Sequence, residues 1–159
     1  MSKVSIGTDG KLLIEEAKIL YRNFSGAQTD YNREGDRNFN VIIDDPETAK
    51  AMQNDGWNVK FRPGREEDEP GTYHIKVNVN YKSARAPKIY LHAGDAPMQM
   101  LDETTVGDLD NLEILAAHML ISPYHWERNG STGVSAYLDT MHVDIKEDPF
   151  AHKYANLNG

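Results

Sequence analysis

Aromatic side chains stand beside cationic or amide side chains at several places in the sequence, and this pairing of residue types has a chemistry of its own. A flat ring can stack on a nucleic-acid base while a neighbouring lysine or arginine neutralises a phosphate, and neither contact depends on base sequence. The stretches are Tyr21-Arg22-Asn23-Phe24, Arg37-Asn38-Phe39, Trp57-Asn58-Val59-Lys60-Phe61-Arg62, Tyr73-His74-Ile75-Lys76, Tyr81-Lys82 and Lys88-Ile89-Tyr90. The pattern favours a surface that holds single-stranded nucleic acid.

The triplet Arg-Asn-Phe occurs twice, at 22–24 and at 37–39, on either side of a turn-rich stretch. In one interpretation both rings stack on bases, and Arg22 and Arg37 line a groove for phosphates. In the other, the rings cap a hydrophobic core and the arginines are ordinary surface residues. The sequence leaves both open.

Strand periodicity predicts that some of the other rings are core residues. Phe39, Tyr73 and Tyr81 share strand faces with valine and isoleucine, which favours burial. Tyr90 lies on the face of Lys88 and His92, so stacking and packing are both open. Trp57 starts a strand and suits a core position. Trp126 precedes the Asn129-Gly130 turn, where it either clamps a ligand or packs beneath its own hairpin.

Templates for catalysis are largely missing. There is no phosphate-binding glycine loop and no dinucleotide fingerprint. His125-Trp126-Glu127 matches part of a deaminase motif, but the cysteines that motif requires are absent. The six histidines lack metal-ligand spacing, so no metal and no cofactor is predicted. Asp139, Asp144 and Lys146 loosely match a metal-dependent nuclease, although solvent-facing strand residues explain them more simply. The prediction is a protein that is not an enzyme.

Composition limits the class of protein. The 159 residues suit one domain with a proper core. The absence of cysteine excludes disulfides and thiolate metal sites and is typical of a reducing cytosol. No apolar run approaches the roughly 20 residues of a membrane span. The net charge is −8, yet residues 76–92 contain four cations, Lys76, Lys82, Arg85 and Lys88, together with His92, and no acidic residue.

The elements that must position these residues are mostly strands. Alternation is clearest in residues 72–82 and 37–44, and Asn129-Gly130 marks a hairpin between two long apolar segments. Pro46 opens a short helix with Asp45 as its N-cap and Gly56 as its stop. Pro123 should lie at a strand edge or end. Six or seven strands with short connections predict an all-β barrel or sandwich with minor helices. We expect one domain over 1–159, with a flexible N-terminus at 1–12, a mobile acidic loop at 63–72 and a short C-terminal helix at 148–155.

The order of these segments resembles the OB-fold single-stranded DNA-binding proteins of tailed bacteriophages and prophages. The resemblance rests on "RNFSG", "RNFNVIID", "GWNVKFRPG", "YHIKVNVNY", "PKIYLHAG" and "LISPYHWERNGSTGVSAYLDTMHVDI", and it covers residues 13–155. It implies a five-stranded Greek-key barrel with added strands and short helices. It also implies binding of single-stranded DNA in phage replication or recombination, in the cytoplasm of the infected bacterium. Residues 152–159 contain no acid, unlike the acidic tails common in bacterial relatives.

The resemblance places the nucleic-acid site on the barrel strands and hairpins. The residues expected there are Arg22, Phe24, Arg37, Trp57, Lys60, Lys76, Tyr81, Lys82, Tyr90 and Trp126. Expected partners are single-stranded DNA, phage replication or recombination proteins and, through an open strand edge, a second copy of the chain. The alternative function is an acidic protein-interaction module, such as a host-factor inhibitor or a DNA mimic, that binds no nucleic acid.

Overall fold

The structure, a computed structural model, describes residues 2–146, which form one β-sheet structure. The C-terminal helix predicted at 148–155 lies outside the described residues. The elements are β1 (Lys3–Ile6), β2 (Leu12–Ala17), β3 (Ile19–Asn23), β4 (Arg37–Ile43), α1 (Pro46–Asn54), β5 (Val59–Arg62), β6 (Thr72–Val79), β7 (Lys88–Ala93), β8 (Gln99–Leu101), a 3-10 helix (Val106–Asp110), β9 (Ile114–Arg128) and β10 (Ser131–Ile145). No helix in this part of the chain is long and apolar enough to cross a membrane.

Five strand segments close into a barrel, which confirms the predicted OB-type architecture. Lys18 alone separates β2 from β3, and these two halves of one bent segment pair with different strands: β2 with β9, and β3 with β4. From β4 the ladder continues through β6 and β10 back to β9. All pairs in this ring are antiparallel except β6 with β10, which is parallel. This is the strand arrangement of a five-stranded Greek-key barrel.

Alternating side chains fill the barrel. Phe39, Val41 and Ile43 on β4 face Ile75 and Val77 on β6, as period-two patterning predicts. From β2, β9 and β10 the core takes Leu12, Ile14, Met119, Ile121, Leu138, Met141 and Val143, all nearly fully buried. At roughly 1.5–3 kcal/mol for each large side chain, burial of these residues is the main force that closes the barrel.

Strands β5, β7 and β8 extend the sheet beyond the ring. β5 pairs with the first half of β6, where β10 does not reach. β7 pairs in parallel with the second half of β10, and β8 pairs with β7. The N-terminal residues, for which the sequence predicts a flexible segment, include β1, which pairs with β2 from Lys3 to Ile6.

Local signals in the sequence explain several element ends. Asp45 caps α1 by accepting from the Glu47 backbone N–H at 3.2 Å. Asn129 and Gly130 both have positive φ, which suits the two-residue turn between β9 and β10. Pro123 lies beyond the last β2–β9 pair and opposes Ala136 of β10 only. The expectation that this proline lies at an edge is therefore confirmed.

Candidate nucleic-acid interface

The outward side chains of β4, β5 and β6 form a surface that contains cations, amides and no acid. Cross-strand register places Asn40 opposite Lys76, and Lys60 opposite His74. We call this surface, together with Tyr21 of β3, the basic face; its members are Tyr21, Asn38, Asn40, Ile42, Lys60, Arg62, His74, Lys76 and Asn78, of which Asn38 is buried. Lys60, Arg62 and Lys76 are exposed. A row of lysine and arginine across adjacent strands suits the phosphates of an extended strand.

At one end of the basic face, the Tyr21 ring contacts both His74 and Arg62. The Tyr21 ring meets His74 edge-on, with centroids 6.5 Å apart, and the Arg62 guanidinium lies 5.8 Å from the Tyr21 centroid. Tyr21 is 54% exposed, so its ring is available for stacking. Burial and then repulsion from Lys60 and Arg62 lower the pKa of His74. The neutral imidazole donates from Nδ1 to Asn40 Oδ1 at 2.9 Å, which leaves Nε2 as an acceptor.

At the other end, the face reaches a polar cleft of about 260 Å³. Arg37, Lys76, Tyr81 and Lys82 line this cleft together with two acids, Asp36 and Glu103. Burial raises the pKa of the Tyr81 hydroxyl to about 12, so it is a neutral donor at physiological pH. The Tyr81 oxygen is buried and has no hydrogen-bond partner among the described residues. Such a donor is satisfied by water or by a ligand oxygen.

A ladder of three aromatic side chains continues from the basic face onto the β9–β10 hairpin. Tyr137 lies opposite Asn78 of β6, and its ring meets Tyr124 edge-on at 5.8 Å. Trp126 follows Tyr124 by two residues on the same strand face, roughly 6.5 Å further along. We call Tyr137, Tyr124 and Trp126 the aromatic ladder. Tyr124 is 57% exposed and Trp126 is 37% exposed.

Glycine 133 fixes the orientation of the Trp126 ring. Trp126 and Gly133 are cross-strand neighbours. A Cβ on Gly133 would lie 2.4 Å from Trp126 Cζ2, so the indole packs directly against the Gly133 backbone. This contact covers part of the indole, while 37% of Trp126 stays exposed on the hairpin. Beside the ladder, a groove of about 980 Å³ is lined by Arg85, Lys88, Met100 and both tyrosines.

The structure separates the ten residues expected at the site into three groups. Lys60, Lys76, Lys82 and Trp126 are exposed on or next to the basic face and ladder. Tyr81 and Arg37 line the cleft, but Arg37 also donates to the Phe24 carbonyl at 2.6 Å, with its guanidinium 5.5 Å from the Tyr81 centroid. The other four residues, Phe24, Trp57, Tyr90 and Arg22, pack or hydrogen-bond within the protein.

Phe24 and Trp57 are core residues and present no ring to solvent. Phe24 is fully buried and stacks on Phe39 at 5.1 Å, and Trp57 is 6% exposed. Of the two interpretations of the Arg-Asn-Phe triplets, the structure therefore supports rings that cap the core. Tyr90 is half-buried and stacks on His142 at 4.8 Å. Arg22 donates from Nη1 to the Leu109 and Leu112 carbonyls at 2.9 and 2.5 Å.

The basic face and the aromatic ladder also include four residues that were not predicted from the sequence: Tyr21, Arg62, Tyr124 and Tyr137. Tyr21 and Arg62 occur in the aromatic–cationic stretches, so a signal was present for both. Tyr137 and Tyr124 would have emerged from aligning the two hairpin strands around Asn129-Gly130. Asp139, one of the candidate nuclease residues, instead pairs with Lys11 at 3.0 Å. Although burial opposes it, hydrogen bonds from Lys11 and Thr140 lower the pKa of Asp139.

Comparison with known proteins gives a family and a fold. A family model described as "Putative phage ssDNA-binding domain" matches residues 1–158. The single-stranded DNA-binding protein of bacteriophage Enc34, solved in complex with ssDNA, superposes with a TM-score of 0.55 at 12% identity, covering 95% of each chain. Another structure of the Enc34 protein gives 0.53 at 10% identity, covering 95% of this chain and 93% of that one. No curated protein sequence matches the chain.

Proposed function

The chain belongs to the phage ssDNA-binding domain family, and on this premise we propose that it binds single-stranded DNA without base-sequence preference in phage replication or recombination. The observation that carries the proposal is the acid-free basic face, which continues into the aromatic ladder on the same side of the sheet, because Tyr137 lies opposite Asn78. Phosphates lie along Lys60, Arg62 and Lys76, and bases stack on exposed rings. The protein acts by binding and performs no catalysis.

The basic face explains how a chain of net charge −8 attracts a polyanion. Surface charges are screened beyond roughly 10 Å at 0.1 M salt, so a strand on the basic face responds to nearby cations more than to distant acids. The exposed rings add roughly 1–3 kcal/mol per stacked base. Duplex DNA has its bases stacked internally and gains little from Tyr21, Tyr124 or Trp126, which gives a preference for single strands.

The first test is a fluorescence titration with oligo-dT, oligo-dA and the matching duplex at several salt concentrations. We expect quenching by both single strands, weak response to duplex, and loss of affinity with salt. Trp126 supplies the responsive signal, because Trp57 is buried. Absence of binding to any oligonucleotide at low salt would overturn the proposal. Incubation with Mg²⁺ or Mn²⁺ should leave labelled DNA intact; cleavage would overturn the statement that the protein is not an enzyme.

A charge-matched pair of variants locates the site. Lys60→Ala with Lys76→Ala removes two cations from the basic face, and Lys3→Ala with Lys50→Ala removes two from β1 and α1. For single strands the slope of log affinity against log salt is about −0.7 per phosphate, so the first pair should flatten it by about 1.4. The second pair should leave it unchanged. Equal slopes for both folded double variants would place the site elsewhere.

A further inference from the structure

Two histidine rings are hydrogen-bonded to each other outside the basic face and the ladder. His92 is near the end of β7 and His142 is on β10, and His92 Nε2 lies 2.9 Å from His142 Nδ1. The rings stack with centroids 5.2 Å apart, and Tyr90 stacks on His142. Each neutral imidazole has one N–H and one bare nitrogen. Two ring nitrogens at this distance therefore share a single proton.

The neighbouring groups make the pair attractive to a cation. Asp144 lies opposite His92 across the β7–β10 ladder, and its Oδ2 is 3.9 Å from His118 Nε2. His118 Nδ1 accepts from the Glu16 backbone N–H at 3.1 Å, so the proton of neutral His118 is on Nε2, which is the nitrogen nearer Asp144. The carboxylate thus lies near His118 and next to His92 in the strand register, and no lysine or arginine forms an ion pair with it within residues 2–146.

We propose that His92 and His142 bind one divalent transition cation of the Cu²⁺ and Ni²⁺ class. Metal–imidazole bonds are about 2.0–2.1 Å long. Two nitrogens 2.9 Å apart therefore subtend an angle of about 90° at the metal, which is the angle between adjacent ligands in square-planar or tetragonal sites. A tetrahedral Zn²⁺ site needs the nitrogens farther apart, at about 3.4 Å.

The protein supplies two ligands and water completes the coordination. In residues 2–146 no three histidine or acidic side chains converge on one point, so Asp144 acts as a nearby charge. When the pair is neutral, the shared proton moves through water to the remote nitrogen of its own ring, and no net proton is released.

The bound cation would join β7 to the barrel. Within the described sheet, β7 pairs with β10 and with the short strand β8, and a β7–metal–β10 link adds a contact that the unfolded chain lacks. A ligand that binds only the folded state raises the melting temperature, and above the dissociation constant the stabilisation grows with the logarithm of the ligand concentration. Thermal stability therefore reports the site independently of DNA binding.

The test titrates the untagged full-length chain with CuCl₂, NiCl₂ and ZnCl₂, following heat of binding, the visible absorption of bound Cu²⁺ and the melting temperature. His92→Gln and His142→Gln are compared with His125→Gln, which changes an exposed hairpin histidine. We expect one equivalent of Cu²⁺ or Ni²⁺ to raise the melting temperature by several degrees. The first two variants should each weaken binding at least about tenfold and remove that rise, while His125→Gln should retain both.

A measurement on the wild-type chain guards against variants that fail to fold. Substoichiometric Cu²⁺ broadens the NMR signals of nearby nuclei, and the broadening should centre on His92 and His142. Broadening centred on His125, or Cu²⁺ binding that survives in both folded variants, would overturn the proposal. Failure of the chain to bind DNA would leave it intact.

Discussion

Tyr21 shows why the role of a single residue depends on backbone detail that the sequence conceals. Its φ of 51° lies in the left-handed region, and the β3–β4 register shifts between Leu20 and Asn23. This bulge breaks the alternation of β3, turning Tyr21 onto the basic face while Arg22 reaches the 3-10 helix. A tyrosine gives no signal for such a conformation, since glycine or asparagine is the usual residue there. The lysines were easier to predict because exposed strand lysines need no special backbone.

His74 predicts a pH dependence of DNA binding. Its pKa in the free protein is below the ordinary 6.5, because of burial and then Lys60 and Arg62. A phosphate on the basic face favours the imidazolium and raises that pKa, so the complex binds more protons than the free protein. Affinity for oligo-dT should therefore rise as pH falls from about 7.5 to about 5.5. Folding responds oppositely: the unfolded chain takes up the proton first, so stability from this group declines as pH falls below 6.5.

The control for this dependence is His74→Gln, which removes the titrating group and keeps a polar side chain beside Asn40, the hydrogen-bond partner of His74. Its affinity should change less with pH than that of the wild type, measured by fluorescence anisotropy. His125→Gln, which alters a histidine on the hairpin, should follow the wild type. Identical pH profiles for wild type and His74→Gln would exclude a phosphate near this imidazole.

At the scale of elements, a reciprocal pair of contacts holds the 3-10 helix against β3. Arg22 donates to the Leu109 and Leu112 carbonyls, and Asp110 accepts from the backbone N–H groups of Phe24 and Ser25 at 2.7 and 3.1 Å. Strands and α1 were predictable because alternation and capping are local signals. These contacts join residues more than 80 positions apart in the sequence, so no local sequence pattern predicts them.

Arg22 is consequently a structural residue, and its removal should affect folding more than salt dependence. Arg22→Ala leaves two carbonyls without their charged donor and should lower the free energy of unfolding by roughly 2–3 kcal/mol. Arg22→Lys should recover only part of this, because one ammonium replaces a planar guanidinium. Urea denaturation measures the loss, with the exposed loop variant Arg33→Ala as control. A folded Arg22→Ala of wild-type stability but reduced salt slope would return Arg22 to the phosphate-binding residues.

For the molecule as a whole, the barrel followed from the sequence because its hydrophobic pattern is consistent from β2 to β10. The closure of the barrel could not be predicted, because it depends on a bend at Lys18 that lets β2 pair with β9 and β3 pair with β4. The placement of β7 and β8 beside β10 also depends on contacts that are distant in the sequence. For the candidate site, too, single exposed residues could be predicted, whereas contacts between distant strands could not. Exposed Lys60, Lys76 and Trp126 were anticipated, whereas the continuity from Asn78 to Tyr137 exists only once β6 and β10 pair in parallel.

The charge of the whole molecule gives a last prediction, which concerns the acidic segment Glu66-Glu67-Asp68-Glu69 between β5 and β6. It follows Arg62 closely in the chain, so its field opposes DNA at that end of the basic face. Replacing all four acids by their amides should raise oligo-dT affinity at about 10 mM salt, where the Debye length is roughly 30 Å and the field of the acids reaches the bound strand. The gain should vanish near 1 M salt, where the Debye length is roughly 3 Å. The amides keep the size of the side chains, so melting temperature should change little. If the affinities at low salt were equal, the segment would lie outside the electrostatic reach of the bound strand, and DNA would pass the other end of the face, towards Tyr137 and Trp126.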